Sequence, residues 1–515
     1  MNHLSGMDAT FLHLETPEMP MHVGGLNLLE LPPDYTGDLW EDIKAHIGSR
    51  LHLAPMFTRK LALMPFELAD PVWVDDDDVD LDYHVRRVIL PRPGTREQLD
   101  AYVGRLHSSL LDRSRPLWEC YVIEGLQSGQ AAFYTKAHHA GMDGAAGAVM
   151  AQAIFDATAQ PRAVRPPPQR RRASHDYQLG VAELAGAALK NTAMQYLKLM
   201  QMVPAAAKVF TSLTAPTKTE GDGKVVPALP RRMRLGPRTR LNVAITNQRV
   251  FAGKSMPLAD AKWIAKQAGA TVNDVVLTVC AGALRAYLER YGELPKKPLM
   301  AGVPVSLRES GNTDMNNQAT TMVVNLATDV ADPVERLKAI HASSVDSKQF
   351  TGNIKAVILM DYPSFGAPWL LTGFASMIGR TKLVNALPPV SNLVISNVPG
   401  PQTPLYLAGC KVVTNYPLSI PAHGMAMNLT VQSYNGSLDF GITACRRAVP
   451  DAQEVAELLA EAMDELKAAM PAAAPAAQVS QAAQPADAVA VTGATVAAGK
   501  RAPAAKRSKR VAHAS

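Results

Sequence analysis

The sequence predicts a mixed α/β fold built in more than one domain, and three observations carry the prediction. The chain has 515 residues, more than one ordinary hydrophobic core supports. Segments with helical apolar spacing are interleaved with strand-like runs in both its earlier and its later parts. Between those parts, "QPRAVRPPPQRRRA" at residues 160–173 interrupts the pattern with prolines and arginines that no core accepts.

The first 157 residues read as one α/β unit. "DLWEDIKAHIGSRL" has helical periodicity, "LDYHVRRVILP" is extended, and "REQLDAYVGRLHSSLL" is helical again. "ECYVIEGL", a polar "QSGQ" turn and "AAFYTKAHH" predict a hairpin whose second strand ends at two histidines, with "GAAGAVMAQAIFDA" as the next helix. Beyond the Pro/Arg run, Leu189, Ala193, Leu197 and Met200 fall on one face of an amphipathic helix within residues 179–211. "TAPTKTEGDGKVVPALPRR" then closes the connector.

Regular patterning resumes near residue 241 with a strand-like "NVAITNQRVFAG" and helices over "LADAKWIAKQAG" and "TVNDVVLTVCAGALRAYLERYG". "TTMVVNLATDV", "NLVISNV" and "NLTVQSYNGSLDFGITA" are strand-rich. A last helix spans residues 452–470, with Asp451 as N-cap and Glu454 three residues on as its capping signal. The predicted division is therefore 1–158, a connector 159–240, 241–470, and a disordered Ala/Pro-rich basic tail 471–515.

Hydrophobic residues at 47% and charged residues at 19% exclude a disordered chain. The net charge of +6 sits mainly in the tail, where Lys500, Arg501, Lys506, Arg507, Lys509 and Arg510 face only Asp487. A basic nucleic-acid surface on the body is not supported. Cys120, Cys280, Cys410 and Cys445 are scattered without metal-site spacing and predict reduced thiols in a cytoplasmic protein. The charge-free "YPSFGAPWLLTGFASMIG" at residues 362–379 is broken by prolines and glycines, so it predicts a buried or interface-lying segment rather than a span.

The chemistry concentrates in "TKAHHAGMDG", residues 135–144. At the end of a strand His138 and His139 point to opposite faces, so only one of them reaches a given cleft. That divergence, and spacing unlike a helical histidine pair, argue against zinc held by His138, His139 and Asp143. One histidine suits a general base, because a neutral imidazole can take a proton from an attacking hydroxyl. There is no GxSxG elbow to carry a covalent acyl group. Spacing alone leaves a hydrogen-bonded core pair equally open. Asp143 suits the start of the next helix, and Gly144 permits close backbone approach there. His84 and His423 stand without a motif partner and are left out of the catalytic set.

"HHAGMDG" resembles the HHxxxDG motif of the bacterial wax ester synthase/diacylglycerol acyltransferases, within the superfamily of chloramphenicol acetyltransferase and peptide-synthetase condensation domains. Further stretches resemble that family in order: "LSGMDATFLHLETPEMPMHVGGL" at residues 4–26, Pro116, Leu117 and Trp118 as PLW, "GPRTRLN", "TVNDVVL" with Asn273 and Asp274, and "SNVPGP" at residues 396–401. The resemblance implies two chloramphenicol acetyltransferase-like domains, each a mixed sheet flanked by helices, with a channel between them. It implies acyl-CoA as co-substrate, no metal or other cofactor, and diacylglycerol or a long-chain alcohol as acceptor. His139 matches the general base, His138 and Asp143 its supports, and Asn273 a second functional position.

Plainer roles stand beside these. Thr271 and Asp274 make a helix start, Trp118 packs in the core, and Asn397, Pro399 and Gly400 shape a tight turn. The four aspartates Asp75, Asp76, Asp77 and Asp78 read as a solvated turn. Competing functions are a condensation-type acyltransferase that uses carrier-protein thioesters and a non-catalytic coat on lipid inclusions. An insoluble acceptor predicts peripheral docking on the inner membrane face or on lipid inclusions.

Overall fold

Several helices begin where a side chain caps them. The computed structural model describes residues 2–4, 6–62, 71–142, 144–166, 235–306, 319–355 and 388–471. In chain order its helices are α1 (Gly6–Leu14), α2 (Leu39–Gly48), α3 (Leu81–His84), α4 (Arg96–Leu106), α5 (Gly144–Ile154), α6 (Leu258–Ala268), α7 (Val272–Arg290), α8 (Pro333–Lys355) and α9 (Ala452–Ala469). Asp38 accepts from the N–H groups of Trp40 and Glu41 at the start of α2, while Thr95 with Gln98 and Thr271 with Asp274 form full capping boxes on α4 and α7. On α2 the buried Leu39, Ile43 and Ile47 recur every four residues, as one inward face requires.

The strands are β1 (Asn2–His3), β2 (His22–Glu30), β3 (Arg59–Ala62), β4 (Val72–Asp75), β5 (Val85–Ile89), β6 (Trp118–Glu124), β7 (Ala131–His138), β8 (Arg249–Pro257), β9 (Met300–Ser306), β10 (Ala319–Asn325), β11 (Leu393–Pro399), β12 (Tyr406–Leu407), β13 (Cys410–Leu418), β14 (Met427–Tyr434) and β15 (Ser437–Cys445). They form two six-stranded sheets, in the orders β12-β13-β2-β7-β6-β5 and β10-β9-β11-β14-β15-β8, and a small sheet β1-β4-β3. Both large sheets are mixed: β5 runs parallel to β6 and β11 parallel to β14 and β9, with antiparallel pairs elsewhere. The mixed α/β class is therefore the one expected.

Every residue of β7 is buried, because the first sheet is covered on both faces. Phe57, Trp118 and Phe133 fill one side, and Leu26, Leu99, Tyr134 and Phe251 the other. In the second half, α6, α7 and α9 pack over the sheet, with Val276, Tyr287, Leu459 and Met463 in a core shared with Leu429 and Ile442. Residues Met1–Pro471 form one compact unit. A strand exchange explains the unity: β13, late in the chain, pairs with β2, so the first sheet is completed from the second half. β13 and β15 also touch closely, since a Cβ on Gly441 would stand 1.7 Å from Pro417 O.

Several elements differ from expectation. "LDYHVRRVILP" begins as the short α3, capped by Asp80, before it extends as β5. The strand expected over "NVAITNQRVFAG" starts only at Arg249, because Asn242 spends its side chain on the carbonyls of Ser391 and Gly424 and on Thr239 instead. Glu454 does not return to the α9 N-cap; it accepts from Tyr291 Oη at 3.0 Å, and Asp451 caps Gln453 N–H alone. Asn397 and Pro399 lie in β11 rather than in a turn. Asp143, the segment 362–379, the helix expected within 179–211, the "TAPTKTEGDGKVVPALPRR" stretch, the Pro/Arg run beyond 166 and the tail beyond 471 lie outside the described residues.

Candidate active site

His138 is the last residue of β7, opposite His22 on β2, and the chain then turns through His139, Ala140 and Gly141 toward α5. The strand, turn and helix are those the sequence predicts. Three separate stretches hold the turn by its backbone and rings. His138 N–H donates to Leu117 O at 3.0 Å, and His139 N–H to Met21 O at 2.8 Å. Phe11 stacks flat on the His139 ring, with centroids 4.0 Å apart and 13° between planes. Residues widely separated in sequence thus converge on the histidine pair.

Trp118 shows how the Pro116–Leu117–Trp118 stretch does this. It is fully buried, its indole N–H donates to Phe57 O at 3.1 Å, and it stacks on His84. Anchoring Trp118 fixes its neighbour Leu117, whose carbonyl receives His138. His84 in turn donates from Nδ1 to Trp118 O at 2.7 Å, a structural use of the ring.

The two histidines are not equivalent. His138 is buried, its Nδ1 accepts from Ala140 N–H at 3.1 Å, and its Nε2 faces Glu15 Oε2 at 3.1 Å. An Nδ1 that accepts leaves Nε2 to donate to the Glu15 carboxylate. With both nitrogens committed, it has no lone pair left for a metal. His139 is only part buried.

Glu15, which sequence reasoning missed, anchors this arrangement. It is 9% exposed and accepts from His138, from Met21 N–H at 3.0 Å and from Arg113 at 2.8 Å. Burial pushes its carboxyl up, but the His138 hydrogen bond, the Arg113 guanidinium and the Met21 N–H outweigh it and hold the pKa at about 2. No periodicity marks Glu15, which follows α1 directly; its signal is its place within the 4–26 stretch.

Asn273 lies in the first turn of α7, where its Oδ1 accepts from Asn397 Nδ2 at 3.4 Å. The "TVND" and "SNVPGP" stretches are therefore brought together. Asp274 is structural as expected: one oxygen takes Thr271 N–H and Oγ1 and a 2.7 Å contact from His341 Nδ1. Gly144 opens α5, as the predicted helix start requires.

Residues 4–276 match the model of the wax ester synthase/diacylglycerol acyltransferase catalytic domain, and residues 315–467 that of the family's C-terminal domain. The chain belongs to the wax ester synthase/diacylglycerol acyltransferase family. It is an acyltransferase. Two proteins of Mycobacterium tuberculosis provisionally named diacylglycerol O-acyltransferases are 38% and 37% identical to it, over 91% and 90% of this chain and 100% and 98% of theirs. The solved wax ester synthase/diacylglycerol acyltransferase from Marinobacter aquaeolei VT8 is 32% identical, with a TM-score of 0.65 over 91% of this chain and 99% of that one. The first condensation domain of the calcium-dependent antibiotic synthetase aligns with a TM-score of 0.51 at 14% identity, over 94% of this chain and 99% of that one. That likeness shows a shared fold and brings no carrier-protein chemistry with it. The four cysteines of this acyltransferase are free and buried.

Proposed function

We propose that the protein moves a long-chain acyl group from acyl-CoA to the hydroxyl of diacylglycerol or of a long-chain alcohol, directly, with His139 as general base and without metal or bound cofactor. The observation that supports this most is the division between the histidines. His138 is consumed by Glu15 and Ala140, while His139 is set by Met21 O and the Phe11 face at a part-buried position. As the hydroxyl oxygen attacks the thioester carbon, His139 removes its proton; when the C–S bond breaks, CoA leaves with that proton. Such help is worth about 10²- to 10⁴-fold, so positioning and stabilisation of the oxyanion supply the rest. Asp143 and Gly144 are assigned to the support of the turn, and Asn273 with Asn397 to a second functional position. Purified protein with palmitoyl-CoA and either dipalmitoylglycerol or hexadecanol should release thiol only when acceptor is present. No release with either acceptor overturns the reading.

The insoluble acceptor places the reaction at a lipid surface, on the inner membrane face or a lipid inclusion. Among the described residues no helix is long and apolar enough to cross a membrane. Attraction of the six tail cations to anionic lipid, at roughly 1 kcal/mol each near the surface, supplies a docking force. Removal of residues 471–515 should weaken co-sedimentation with anionic vesicles, and unchanged binding assigns docking elsewhere.

A further inference from the structure

His423 lies where the chain leaves β13 in the first sheet and enters β14 in the second. Register puts the start of that crossover beside the histidine turn. Leu418 on β13 faces Gly24 on β2, and Gly24 faces Lys136 on β7. The crossover and the His139 turn thus leave the same end of the sheet with only β2 between their strands, about 10 Å or two interstrand spacings. Residues 15–21 run between them. Glu15 takes His138 and Met21 O takes His139 N–H, while Glu18 O accepts from Arg249 Nη2 at 2.6 Å. Met19 and Met21 share a core with Ile245 and Ala426, the residues that flank the crossover.

Ile245 N–H donates to His423 Nδ1 at 3.2 Å. That bond makes Nδ1 the acceptor and leaves the proton on Nε2. Nε2 is buried and meets no acceptor among the described residues. A buried donor left so is a cost that native structures bear where water or a ligand completes the site. Burial lowers the pKa of the ring, Glu18 opposes that and Arg249 adds to it, so the imidazole is neutral near pH 7. A neutral donor at the entry of the second half is the group the oxyanion step lacks.

We propose that His423, on the crossover that leaves the sheet beside the His139 turn, donates its Nε2–H to the thioester carbonyl oxygen as that oxygen becomes the tetrahedral oxyanion. The inference rests on the assignment of His139 as base. As the acceptor oxygen bonds the carbonyl carbon, its proton goes to His139 and the C=O electron pair moves onto the oxygen. When that pair returns, the C–S bond breaks and the CoA sulfur leaves with the proton from His139. His423 gives and takes no proton; it holds the oxygen while the charge is there. His423 has no motif partner in the sequence; its partner is a backbone N–H that no spacing reveals.

The test uses the full chain with palmitoyl-CoA and the better of dipalmitoylglycerol and hexadecanol. His423→Phe keeps a flat ring without a donor, and His423→Gln restores an amide N–H at similar reach. Loss of one oxyanion donor costs about 10²- to 10³-fold in kcat. His423→Phe should show that loss with KM for palmitoyl-CoA within about threefold, and His423→Gln should recover at least about tenfold. Both lose the Ile245 contact, so thermal melts establish that each is folded at the assay temperature. A folded His423→Phe with wild-type kcat, a change confined to KM, or equal loss in both variants overturns the proposal. His139→Ala in the same assay keeps the two claims apart: full turnover there fails the base and leaves the His423 comparison to be read by itself.

Discussion

Glu15 carries the charge that keeps the histidine turn in one shape. Its folded pKa of about 2 lies below the ordinary 4.5, so its stabilisation is fully present above pH 4.5 and is lost as pH falls toward 2. Glu15→Gln keeps the size and one acceptor but removes that charge. The variant should melt at lower temperature than the parent at pH 7, with a flatter decline between pH 5 and pH 3. Parallel melting curves against pH would show that the carboxylate is not held as described. At this scale the sequence is partly legible. The pairing of His138 and His139 is visible, and strand geometry sends their side chains to opposite faces. Glu15 and Arg113, 98 positions apart, meet only through folding, so no local spacing announces them.

The elements that place the site are the strands β2, β6 and β7 and the turn that follows β7. Two backbone carbonyls, Met21 O on one side and Leu117 O on the other, fix the histidines from neighbouring chain segments. Helices with caps and strands flanked by polar turns were legible, because those signals are local: α2, α4, α7 and the β6–β7 hairpin are where the spacing puts them. The start of β8 was not, because Asn242 is held by Ser391 and Gly424, which lie far along the chain. Nor was the placement of β13 in the first sheet, since strand patterning does not name a partner. That placement depends on close backbone approach at Gly441, where an added Cβ meets Pro417 O at 1.7 Å. Gly441→Ala should destabilise the protein by about 1–3 kcal/mol, read as a lower urea midpoint. An unchanged midpoint would mean that β13 and β15 separate without cost.

At the scale of the whole molecule, neither half completes the site. The first sheet supplies His138 and His139, and Phe11, whose ring lies on His139, also packs against the core of the second half. Met19 and Met21 belong to that second core although they precede β2. The strand exchange through β13 locks the two halves around this junction. Two related domains were legible from ordered motifs along the chain, and their interlocking was not. The proposed mechanism draws its rate from positioning across the junction and from one base. The most direct test is His139→Ala assayed for acceptor-dependent thiol release from palmitoyl-CoA, beside a thermal melt. With His139 as base, kcat should fall by about 10²- to 10⁴-fold with the fold retained. A folded His139→Ala protein that turns over at the parent rate would contradict it.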